Sequence, residues 1–67
     1  MTDITVRYAG LATIQGMTEV GIAWIREFVV YEPYQGNPAD GILSEPGYAS
    51  DIVEVARQDG LNVDEEI

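Results

Sequence analysis

Sixty-seven residues without a cysteine or a histidine make one domain at most, with no disulfide, no thiolate nucleophile and no imidazole as general base or metal ligand. Twelve carboxylates against three arginines give a formal charge of −9, which excludes the basic footprint that nucleic acid or an anionic membrane surface requires. The same charge suits a basic protein partner, through steering and complementarity.

Residues Ile4-Thr5-Val6-Arg7-Tyr8 alternate apolar and polar, the pattern of a half-buried strand. Leu11 to Gln15 resume a β-prone run. Ala9-Gly10 between them reads as a tight hairpin turn, or Gly10 as a bulge in one long strand; the hairpin is preferred. Thr18 is a good N-cap, and Glu19 follows where the helix dipole favours an anion. Val20, Trp24 and Phe28 recur at four-residue spacing with Ile25 beside them, which predicts an amphipathic helix over about 18–30. Gly21 weakens that helix by about 1 kcal/mol relative to Ala, and suits a site where a strand comes close.

Tyr31 to Gly41 reads as a loop, punctuated by Pro33, Gly36, Pro38 and Gly41. Ile42-Leu43-Ser44 is a short strand candidate. Pro46 fits the first turn of a second helix, where its missing N–H is not needed. Tyr48, Ile52, Val55 and Ala56 are its expected buried stripe, with Asp51, Glu54 and Gln58 outward. Arg57 falls in the last turn, Gly60 suits the C′ position, and Leu61 is placed to pack back on that cap. Asn62-Val63 adds a short edge strand, and residues 64–67 are expected to form a frayed acidic tail. The order β-β-α-β-α(-β) predicts an α+β domain over residues 1–63, with both helices on one face of a mainly antiparallel sheet.

Catalytic and metal chemistry finds little support. Asp51 and Glu54 lie three apart and share a helix side, but no histidine or third ligand joins them, so a solvated face is the ordinary reading. Residues 37–51 lack the acidic spacing and glycine position of a calcium loop. No usual base is available to activate Ser44, Ser50 or a threonine. Neither G-x-x-x-x-G-K nor G-x-G-x-x-G occurs. The expectation is a non-enzyme without cofactor or metal. No apolar run approaches the roughly 20 residues of a membrane span. The start, Met1-Thr2-Asp3, lacks a cationic and an apolar signal region, so a cytosolic protein is expected.

Two features bear on binding. Tyr31 and Tyr34 bracket Pro33; they read as ordinary packing under the loop, or as a tyrosine hot spot. Glu45, Asp51, Glu54 and Asp59 line the second helix and its flanks, and Asp64, Glu65 and Glu66 follow. Leaving out those last three, the formal charge is still −6. Carboxylates spread along one surface resemble the field of DNA, which shows one charge per about 1.7 Å of axis. The plain alternative is solubility.

The segments TEVGIAWI and GILSEPGYASDIVEVARQDGLNV resemble short orphan proteins of phages and prophages, at Thr18, Trp24, Glu45, Tyr48, Asp51, Ile52, Gly60, Leu61 and Val63. The resemblance spans about two thirds of the chain. Many such proteins have Trp-Gly in the middle loop where this chain has Gln35-Gly36-Asn37, which leaves the register of the third strand open. The resemblance implies a phage origin and the host cytosol more than an activity. In size and acidity the chain is also similar in type to anti-CRISPR and anti-restriction inhibitors.

The leading expectation is therefore a small acidic phage protein that blocks a basic, nucleic-acid-binding surface of a host defence complex, with DNA mimicry as one form of it. Glu45, Asp51, Glu54, Asp59, Tyr31 and Tyr34 are its candidate contact residues. The alternative is a structural or assembly module, monomeric or homodimeric, whose acidity only confers solubility.

Overall fold

The computed structural model describes residues 1–66, in the order strand β1 (Ile4–Ala9), β2 (Leu11–Gly16), helix α1 (Glu19–Phe28), a 3-10 turn (Pro33–Gln35), β3 (Gly36–Asn37), β4 (Gly41–Ser44), α2 (Pro46–Gln58) and β5 (Val63–Glu66). One five-stranded sheet forms in the spatial order β3-β4-β2-β1-β5. The β1–β2, β2–β4 and β3–β4 pairings are antiparallel; β5 runs parallel to β1. The α+β class and the mainly antiparallel sheet agree with the sequence reading.

Register places the core on one face. Val6 pairs with Ile14 and Ile14 with Ile42, while Ile4 pairs with Val63. These five side chains are buried, as are Trp24, Ile25, Ala49, Ile52, Val53 and Ala56 of the helices. Both helices thus cover the same face, and Thr5, Arg7, Thr13, Gln15 and Leu43 point to the other. The β1–β2 connection is a hairpin closed at Gly10. Strands β4 and β5 are parallel with β2 and β1 between them, so α2 is the crossover that such a connection requires.

Thr18 is the N-cap of α1: its hydroxyl accepts from the Gly21 N–H at 3.1 Å. The helix is shorter than expected, since Val29 is extended and closes it with an N–H bond to the Ile25 carbonyl. Its buried face also differs. Gly21, Trp24 and Ile25 meet the sheet, whereas Val20 is 61% and Phe28 48% exposed. The cause is the close approach at Gly21, where an added Cβ would fall on the Asp3 carbonyl. That approach turns Val20 outward and leaves Phe28 tilted against Trp24, ring centroids 5.1 Å apart at an interplanar angle of 34°.

Helix α2 begins at Pro46 and ends as the glycine signal predicts. Gly60 (φ +90°) donates to the Arg57 carbonyl and Leu61 to the Ala56 carbonyl, both at 3.0 Å, the paired bonds of a Schellman cap. Leu61 packs against the core. Its buried residues are Ala49, Ile52, Val53 and Ala56. Val55, expected inside, is 43% exposed because α2 turns the 49/52/53/56 face to the sheet.

Two further expectations are corrected. The stretch read as a loop holds the 3-10 turn and β3, which pairs with β4 through Gly36↔Ile42 and Asn37↔Gly41. The acidic tail is strand for Asp64, Glu65 and Glu66, which pair with Thr5, Val6 and Arg7; Ile67 lies outside the described residues. Side chains from outside the strand hold it: Thr2 bonds Asp64 (2.8 Å), Tyr8 bonds Glu65 (2.8 Å), Arg7 bonds Glu66 (2.6 Å), and Arg57 bonds both Glu65 (3.2 Å) and the Val63 carbonyl (3.0 Å). Composition misled here because acids disfavour strands in general, but β5 is an edge strand, where charge is tolerated and discourages pairing with other chains.

The two helix glycines should respond oppositely to alanine. Gly21→Ala should cost about 1–3 kcal/mol through the backbone clash, despite better helix propensity. Gly47→Ala, with nothing within 4 Å of the added Cβ, should stabilise by about 0.5–1 kcal/mol. Thermal melts read both, at roughly 4–8 °C per kcal/mol. Ending the chain at Val63 should lower the melting midpoint by about 4 °C or more; a frayed tail would leave it unchanged.

Candidate partner-binding surface

The six candidate residues do not form one patch. Asp51 and Glu54 sit on the solvent side of α2, both exposed, and neither accepts a hydrogen bond or forms an ion pair among the described residues. Glu45 is the N-cap residue of α2 without a side-chain capping bond. It lines a shallow hollow with Tyr34, Leu11 and Leu43 at the N-terminal end of α2. Asp59 is the C-cap residue, and its carboxylate accepts the Trp24 indole N–H at 2.8 Å. An anion at a helix C-terminus opposes the helix dipole by about 0.3–1 kcal/mol; the indole bond offsets this.

The tyrosines also separate. Tyr31 is half-buried against the core, whereas Tyr34 is 87% exposed on the 3-10 turn. Only Tyr34 is available as a contact, and it neighbours Glu45 rather than Asp51 and Glu54.

The carboxylates divide by task. Asp3, Asp40, Asp59, Asp64, Glu65 and Glu66 each accept a hydrogen bond from elsewhere in the chain. Glu32 closes a capping box with Gln35. Glu19, Glu27, Glu45, Asp51 and Glu54 accept none among the described residues. The arginines divide too. Arg7 pairs with Glu66, and Arg57 with Glu65 at 3.2 Å while also donating to the Val63 carbonyl at 3.0 Å. Both pairs are largely exposed and worth about 0–1 kcal/mol each. Their effect is positional: two of the three cations are drawn to the β5 edge, where Arg57 of α2 lines a hollow with Glu54 and Glu65. Tyr8, packed near this edge, has its pKa raised by burial and by its bond to Glu65.

Sequence reasoning missed Asp3. Its carboxylate accepts from the Thr18 hydroxyl at 2.8 Å and the Asn62 backbone N–H at 3.1 Å. These bonds, Asn62 first, hold its pKa below the ordinary aspartate value. It also missed the exposed apolar residues Val20, Phe28 and Val55, which periodicity assigns to the core. Among the described residues no three carboxylates gather to hold a metal ion, and no helix is long and apolar enough to cross a membrane.

Because the folded pKa of Asp3 is depressed, its contribution is complete above the unfolded value, about 3.9, and is lost as pH falls through the folded value. Asp3→Asn should therefore be less stable than the parent at pH 7. The gap should narrow as pH drops below about 4 in denaturant titrations. An equal gap at all pH values would mean the carboxylate charge has no part in it.

Comparison of the chain with known protein families, with curated proteins and with solved structures finds no match.

Proposed function

We propose that the chain is a small acidic binding protein that lays the outer side of α2 on a basic, nucleic-acid-binding surface of another protein and blocks it. One observation carries this reading: Asp51 and Glu54 stand exposed on α2 and form no ion pair among the described residues, since Arg57, which shares a hollow with Glu54, is engaged by Glu65, and Arg7 by Glu66. Such charges raise association rates and favour a cationic partner. The resemblance to phage orphan proteins adds a proposed setting, a host defence complex that handles nucleic acid. In that setting Asp51 and Glu54 would enter a groove that otherwise takes a phosphate backbone.

A second reading has its own observation. Leu11 and Leu43 are exposed on the sheet face away from the helices, and Tyr34 stands beside them. An apolar group of this kind supports a self-associating module whose acidity confers solubility.

Affinity capture from a bacterial lysate, with the retained proteins identified by mass spectrometry, tests the first reading. Nucleic-acid-binding proteins should be retained near 50 mM salt and released by about 500 mM, since the Debye length falls several-fold. Asp51→Lys with Glu54→Lys should retain them at least about tenfold less, chiefly through slower association. Equal retention by parent and double variant would refute it. A salt-insensitive dimer in sedimentation, with nothing captured, would favour the second.

A further inference from the structure

We infer that the seam between α1 and α2 is a docking groove for a basic amphipathic helix of the partner. The inference rests on the acidic-binder reading and specifies how the partner is recognised.

The two helices run antiparallel. The Trp24 indole bonds Asp59 at the end of α2, and the Val30 N–H donates to the Tyr48 hydroxyl at its start, 2.9 Å away. Val20, Trp24 and Phe28 therefore form one row along α1, and Asp51, Val55 and Asp59 the facing row along α2, each at four-residue spacing. Trp24 is buried at the floor, 7% exposed, while Val20, Phe28 and Val55 stand 61%, 48% and 43% open to solvent. Each row covers eight residue steps, about 12 Å, room for two turns of a docked helix.

Charge decides what fits. Glu27, three residues on from Trp24, borders the groove on α1, and Asp51 and Asp59 border it on α2. No arginine faces it. Arg26 lies two residues from Trp24, roughly 200° around the helix. Arg57 is turned to Glu65 and the Val63 carbonyl, and Arg7 is on the opposite face of the sheet. An apolar strip with carboxylates on both banks complements a helix that carries an apolar stripe flanked by lysine or arginine. A uniformly polar cation would leave the valines and Phe28 wet, and an acidic or neutral helix would leave Glu27 and Asp51 without a cationic partner.

The test uses the full chain and a synthetic leucine–lysine peptide of about 14 residues with leucine at helical spacing. A scrambled peptide of the same composition keeps the charge and loses the stripe. Trp24, the one tryptophan, reports binding by fluorescence, and calorimetry gives the affinity. The patterned peptide should bind at least about tenfold tighter than the scrambled one. Val55→Ser and Val20→Ser, each at an exposed position and each checked by circular dichroism, should remove most of that preference. Equal binding of the two peptides would overturn the groove and leave the electrostatic reading standing. A preference that survives both serine variants would also overturn it. Binding of neither peptide would overturn the groove and the acidic-binder reading together.

Discussion

The side chain of Asp3 is where the fold is tied together. One oxygen takes the Thr18 hydroxyl and the other the Asn62 N–H. The Thr18 hydroxyl in turn caps α1 through Gly21. The Asp3 backbone N–H donates to the Asn62 carbonyl at 2.8 Å, and its carbonyl accepts from Met17 at 2.7 Å. One residue thus joins the first strand, the start of α1 and the entry to β5, elements that lie far apart in the chain. Charge-assisted bonds of this kind are stronger than neutral ones. A domain of this size, with a small core and no covalent staple, depends on such junctions more than a large one does.

The Asp3 junction also sets what the surface presents. By bringing α1 down onto β1 at Gly21, it selects Gly21, Trp24 and Ile25 as the buried face and turns Val20 outward. The placement of β5 next to β1 then gathers Arg7, Arg57 and their carboxylate partners at one edge. The consequence is a division of charge. Acids near β5 are matched inside the molecule, while Glu27, Glu45, Asp51 and Glu54 accept no hydrogen bond and form no ion pair among the described residues. High net charge disfavours the compact state by self-repulsion, so unmatched acids on a small domain have an energetic cost. Binding a cationic surface would relieve it.

How much could be read in advance differs from element to element. Thr18 and Gly60 mark their helix ends because capping is local chemistry, decided by a few neighbouring residues. The alternation in Ile4–Tyr8 reveals its buried face for the same reason. Val20, Phe28 and Val55 were misplaced because a four-residue spacing fixes a row of side chains but not which row meets the sheet. That choice belongs to the contact at Gly21. Asp64 to Glu66 were misplaced because their pairing partners stand some sixty residues earlier, and composition carries no trace of them.

The sequence by itself determined the class of the molecule: one α+β domain, two helices with their caps, a hairpin and a strongly acidic balance. These follow from local propensity, period and formal charge, which need no knowledge of the distant chain. Only the tertiary structure decided which carboxylates are matched and which apolar residues stay exposed. Both depend on contacts between segments remote in sequence, and an arginine's partner is set by where the chain returns rather than by its neighbours.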